Sequence, residues 1–206
     1  MSEKGYKVGY LLRSSITGFV AGTKVTEEEV PAFGALVKAP FGESTWIYGL
    51  IHEMHIDDDG AVMQIATTDA IAEAVIADNR KNRTVPLEIS ILTVGHRKAG
   101  KLSHLLPPRA PLSLDIVWQC DDDEVRQFTE RFGYFRHILR NEELPVAELL
   151  AAHVQQASAA HRAAGNNEWG KRASQEVITL LRDDYQMLMQ VLGTLGDALP
   201  EMGAAQ

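Results

Sequence analysis

Cysteine, positive charge and aromatic rings are all scarce in this chain. Among 206 residues there is one cysteine, Cys120, so no disulfide can form within the chain, and a reducing compartment, the cytoplasm, is the expected setting. No run of ~18 apolar residues occurs, and Met1-Ser2-Glu3-Lys4-Gly5 has no apolar core of the signal-peptide kind, so neither membrane spanning nor secretion is expected. Lys and Arg number 20 against 28 Asp and Glu, a formal charge of −8 that repels phosphate backbones. Aromatic residues make up 7% of the chain, which leaves few platforms for stacking bases. Nucleic-acid binding is therefore expected to be weak or indirect. The one local basic cluster, Arg80, Lys81 and Arg83 followed by Arg97, Lys98 and Lys101, is best read as solvated loop charge.

What the chain does have is a series of short apolar runs punctuated by Gly, Pro and charged turns. The runs 6–12, 34–39 and 46–51 read as strands, Ser14 to Val20 as a turn and second strand, and Thr26 to Pro31 as a polar loop. Trp46 to Ile56 leads into Asp57-Asp58-Asp59-Gly60, and Ala61 to Thr67 leaves it, which predicts a hairpin. Asp69 caps a short helix over 70–76. Leu87, Ile89 and Ile91 alternate within a strand over 86–95, His96 to Ala110 reads as a loop stiffened by Pro107-Pro108, and Leu112 to Trp118 resumes alternation. The fold class that follows is β + α: a small closed β-barrel of Greek-key type over residues 1–120, then a helical domain over 121–206.

In that second part the acidic run Asp121 to Glu124 starts a helix expected to reach about Arg140. Pro145 opens a second helix that Gly165 ends, and Asn166 or Asn167 caps a third. Ile178, Leu181, Tyr185, Leu188, Leu192 and Leu195 recur at 3, 4, 3, 4, 3, a short heptad seam expected to be buried and to be the candidate interaction face. Val177, Met187 and Val191 would then form a second face for a partner. An αα-hairpin or three helices is the expected arrangement.

Motifs that carry chemistry are each incomplete. Gly165 to Arg172 nearly spells a phosphate-binding loop, but Arg172 stands where the Mg²⁺-ligating hydroxyl belongs and a helical composition precedes it. His52-Glu53-Met54-His55 places histidines three apart in a strand, on opposite faces, rather than at i and i+4 of a helix. Asp57 to Gly60 lacks the later bidentate Glu of a calcium loop. His137, His153 and His161 have no nearby acidic or Cys partner, and Cys120 has no His beside it. No catalytic residue, metal site or cofactor is expected.

The barrel segment resembles the HAS-barrel, the N-terminal β-barrel of HerA-type DNA-translocating ATPases and of rotary ATP synthase catalytic subunits. The resemblance rests on Val8-Gly9-Tyr10-Leu11 with Phe19-Val20, on Phe33 to Ala39, and on Ile47-Tyr48-Gly49-Leu50-Ile51. Ile89 to Gly95 and the Leu106-Pro107-Pro108-Arg109-Ala110-Pro111 loop before Leu112 add to it, so that it covers about residues 5–130. It implies an assembly role, in which such barrels build or decorate a ring and dock a partner. The chain departs from the family downstream, where about 85 residues of helical character replace the ATPase domain. The expected function is a non-enzymatic adaptor docking a separately encoded HerA-type ATPase, its nuclease partner or another copy of itself. The alternatives are a nucleic-acid-binding barrel and an enzyme whose site is assembled from dispersed residues.

Overall fold

The computed structural model describes residues 5–23, 31–56, 73 and 87–199. Seven strands come first: β1 (Lys7–Ser14), β2 (Gly18–Thr23), β3 (Leu36–Phe41), β4 (Thr45–Ile56), β5 (Leu87–Lys98), β6 (Lys101–Ser103) and β7 (Ile116–Gln119). Five helices follow: α1 (Asp122–Thr129), α2 (Phe135–Leu139), α3 (Val146–Ala163), α4 (Trp169–Leu180) and α5 (Tyr185–Ala198). The sheet runs β2-β1-β7-β3-β4-β5-β6, and β2 also pairs with β5 from Gly18↔Leu92 to Thr23↔Leu87. That last pairing closes six antiparallel strands into a barrel and leaves β6 as an extra strand. With β7 returning to lie beside β3, the order β7-β3-β4-β5 is that of a Greek key.

Alternation along the strands divides their side chains between two dry regions. Val8, Leu11, Phe19, Val37, Ile47, Ile51, Ile89, Ile91 and Val117 fill the barrel. Their neighbours Leu36, Tyr48, Leu50, Leu92 and Val94 face outward and pack with Phe128, Tyr134, Leu150, Val154 and Trp169 of the helical part. The boundary expected at 120/121 is the point where β7 gives way to α1, yet the second core spans it. The outer wall of β3, β4 and β5 is the floor of the helical layer.

Several boundaries differ from those expected. The stretch after His96 is not all loop: β5 continues to Lys98, and Ala99 and Gly100, with φ of 46° and 78°, form a two-residue turn into β6. The strand expected over 112–118 starts only at Ile116, because Leu114 adopts a left-handed φ of 71° and breaks the extended run. Asp121 caps α1, its Oδ1 accepting from the Glu124 amide at 2.8 Å, but the helix stops at Thr129 and resumes at Phe135. Pro145 sits at the cap of α3 rather than inside it, and Gly165 (φ 85°) follows its end. Neither Asn166 nor Asn167 caps the next helix, where Glu168 holds the cap position. The expected third helix is two helices, because Asp184 caps α5 by accepting from the Met187 amide at 3.0 Å. The hairpin at Asp57–Gly60, the helix over 70–76 apart from Glu73, most of the Thr26–Pro31 loop and the Arg80, Lys81, Arg83 cluster lie outside the described residues.

The packing of β4 on β5 depends on close approach at Gly49, where a Cβ would lie 2.3 Å from Ile91 Cγ2 and 2.8 Å from the Leu92 carbonyl oxygen. Gly49→Ala should therefore destabilise the protein by about 2–3 kcal/mol through overpacking. Chemical denaturation measures it, and unchanged stability would contradict this packing of β4 on β5.

Candidate functional site

Two regions carry side chains placed for more than filling space. The first is the seam between barrel and helices. A ring cluster joins Tyr48 of β4 to Phe128 of α1 (centroids 5.0 Å apart), Phe128 to Tyr134 (5.2 Å), and His104 to both (4.8 and 5.1 Å). His153 of α3 completes it. Its Nδ1 lies 3.0 Å from the Gly34 carbonyl oxygen, an acceptor only, so Nδ1 carries the proton and Nε2 accepts from the Tyr134 hydroxyl at 2.9 Å. Burial pushes the His153 pKa down to about 4, which keeps the ring neutral.

His161, eight residues on, serves a different joint. Its Nε2 meets Thr129 Oγ1 at 2.8 Å, and because that hydroxyl donates to the Val125 carbonyl, His161 is the donor. The imidazole stacks on Trp169 at 4.7 Å, and Trp169 Nε1 donates to the Thr129 carbonyl. The two histidines thus fasten different helix joints and do not converge. His137 donates from Nε2 to the His104 carbonyl at 2.8 Å, and burial and the nearby Arg136 and Arg140 lower its pKa. Among the described residues no group of three or more His, Cys, Asp or Glu is placed to hold a metal ion.

Along the same seam, Lys38 of β3 is paired with Glu124 of α1 and lies 5.0 Å from the Trp46 ring centroid. Arg97 donates to Gln127 at 3.0 Å and sits 5.7 Å from the Tyr48 ring centroid. Tyr48 Oη, Arg97 Nε and Glu124 Oε2 are buried without a hydrogen-bond partner among the described residues. Cys120, adjoining them, is buried, and desolvation pushes its thiol up, which makes it a poor nucleophile.

The second region is the outer face of the barrel away from the helices. The 111–115 segment is tied to β1 by bonds from Leu114 N to Leu11 O (2.8 Å), Leu11 N to Asp115 O (2.8 Å) and Ser14 Oγ to Pro111 O (2.7 Å). This places Leu112 and Leu114, 65% and 75% exposed, beside the exposed Tyr10 and Leu12 of β1. A leucine held at left-handed φ costs roughly 1–2 kcal/mol, and here the side chain is turned to solvent rather than to the core.

The heptad residues do not form one face. Leu181 and Leu195 are buried, Leu188 and Leu192 are half-buried, and Ile178 and Tyr185 are exposed. Val177 and Val191, expected to face a partner, are fully buried instead. The break at Leu181–Asp184 resets the helical phase, so the buried stripe of α4 is Trp169, Ala173, Val177 and that of α5 is Val191 and Leu195. The Gly165–Arg172 segment is the turn after α3 followed by the first turn of α4, with Trp169 inside and Lys171 and Arg172 in solvent. His52 and His55 lie on β4, and His55 Nε2 is 3.9 Å from Glu88, which also receives Arg13 at 2.7 Å. Arg97, Lys98 and Lys101 lie on the β5–β6 hairpin. No helix among the described residues is long and apolar enough to cross a membrane. No protein-family model matches the chain, and no curated protein matches its sequence.

His153 is neutral in the folded protein and protonates near pH 6.5 when unfolded, so its contribution to stability is intact above about 6.5 and declines as the pH falls toward about 4. His52, His104, His137 and His161 are shifted in the same direction by desolvation. Stability should fall by several kcal/mol between pH 7 and pH 4, and His153→Gln should remove part of that dependence while costing stability at pH 7. Urea denaturation of both proteins across this range is the measurement; identical slopes would show that His153 is not the titrating joint.

Proposed function

We propose that this chain is a non-enzymatic docking module that uses a HAS-type barrel to recruit a protein partner through the outer face built by β1 and residues 111–115. One observation carries the reading: Leu114 is held at a φ of 71° with its side chain 75% exposed. Backbone strain that turns an apolar side chain to solvent is characteristic of functional surfaces, and Leu112, Tyr10 and Leu12 extend it into an apolar patch of the kind that proteins bury on association. The six-stranded Greek-key closure supports the HAS-barrel resemblance at the level of architecture. In this reading the helical part stiffens one wall of the barrel and leaves the other wall for the partner, a separately encoded HerA-type ATPase or its nuclease.

Mixing the full chain with the HerA-type ATPase of its own host, and separately with that host's partner nuclease, tests the proposal by light scattering after size exclusion. A stoichiometric complex with one of them is expected. Leu112→Asp with Leu114→Asp should abolish it while leaving the melting temperature within a few degrees, since exposed positions tolerate charge. Complex formation unaffected by the double variant, or no complex with either protein, would reject the proposal. Leu114→Gly should also weaken binding, and it should not destabilise the barrel because glycine adopts this φ without strain.

A further inference from the structure

The helix α5 is almost without charge. Asp197 is the one charged side chain between Tyr185 and Leu199, in a chain whose net charge is −8. The inner stripe of α5, Val191 and Leu195, packs into the helical core with Leu188 and Leu192 half-buried beside it. Gln155 of α3 fixes the end of the helix by donating to the Ala198 carbonyl at 3.1 Å.

At 3.6 residues per turn the opposite side carries Tyr185, Met189, Gly193 and Gly196. Tyr185 is 73% exposed and Met189 52%. Among the described residues no atom lies within 4 Å of the place a Cβ would take on Gly193 or Gly196. The outward face thus has two bulky side chains in its first half and two gaps in its second.

That division makes the face complementary to itself. Tyr185 and Gly193 each stand four residues from Met189, on either side. Two copies set antiparallel about a two-fold axis at Met189 place each Tyr185 ring over the other copy's Gly193 and each Met189 against its equivalent, and the glycines let the two backbones approach.

Charge favours the same pairing. Chains that are both strongly negative approach with least repulsion along an uncharged face. Asp197 lies in the last turn of α5, which holds no basic residue, so its carboxylate stands at the negative end of its own helix. The two-fold axis moves it beside Arg182 of the other copy and the positive end of that copy's α5. Asp184, also at that end, is engaged as the cap, accepting from the Met187 amide at 3.0 Å, and the ion pair of Arg182 with Asp183 is in solvent and weak.

We infer that two copies of this chain associate through α5, antiparallel about a two-fold axis at Met189. The contact is separate from the face of β1 and residues 111–115, so one chain can pair with its copy and still offer that face. A single helix pair falls at the small end of specific interfaces, and dissociation in the micromolar range follows.

Sedimentation velocity of the full chain from about 1 to about 500 μM tests this, a span that covers micromolar dissociation constants. The mass should rise from monomer to dimer. Met189→Asp, which sets like charges against each other at the axis, should weaken the dimer at least tenfold and leave the melting temperature within a few degrees. Gly193→Gln should weaken it comparably, yet melt at the same temperature or higher, because glutamine is the better helix former and meets nothing in its own chain. Arg182→Glu should weaken the dimer several-fold, and adding Asp197→Arg should restore it. Mild oxidation of Met189→Cys should give a disulfide-linked dimer that the wild type, with Cys120 buried, does not form. Leu112→Asp with Leu114→Asp should leave the dimer intact. A monomer at every concentration, a dimer unchanged by Met189→Asp or Gly193→Gln, or a dimer lost in the Leu112 and Leu114 double variant would each overturn the inference.

Discussion

The outer wall of β3, β4 and β5 is as apolar as the inner one, and that double-sided dryness governs the arrangement of everything else. A strand wall with Ile47 and Ile51 on one side and Tyr48 and Leu50 on the other is stable only when both sides are covered. Closure of the barrel covers the inner side. The helices must cover the outer side, and for that reason α1 and α3 lie on the barrel instead of standing apart. The hydrogen-bonded chain from Gly34 through His153 to Tyr134 fixes the orientation of that cover. It adds direction to a contact whose driving force is burial.

Covering one wall also defines what remains. Among the described residues no helix covers the face of β1 and the 111–115 segment, and the edge of β5 is shared unequally between β2 and β6. The apolar patch of Tyr10, Leu12, Leu112 and Leu114 is therefore part of the wall that the described helices do not reach.

The barrel was legible because its signals are local. Alternation at Leu87, Ile89 and Ile91 fixes a strand and its inward face, and the unbroken apolar run from Trp46 to Ile51 is what a strand with two buried faces looks like. Helix existence was legible for the same reason, and the cap at Asp121 was found from its acidic run. Helix continuity was not. Asp184 is an ordinary N-cap residue that could have divided the heptad seam, but a run of apolar residues at 3 and 4 spacing outweighed one aspartate. The extension of β5 past Gly95 was hidden because His96, Arg97 and Lys98 are polar, and it becomes a strand only through pairing with β4 and β6. The outward turn of Leu114 could not have been read at all, since its left-handed φ goes with the long-range bonds that tie residues 111–115 to β1.

The closing β2–β5 pair has a consequence for how the chain is made. During synthesis β1 and β2 emerge first and can pair only with each other, since their remaining partners, β7 and β5, lie about 70–100 residues downstream. Once those strands arrive, the barrel can shut while α1 to α5 are still inside the ribosome or not yet translated. The nascent chain then displays Leu36, Tyr48, Leu50, Leu92 and Val94 on a finished but uncovered wall.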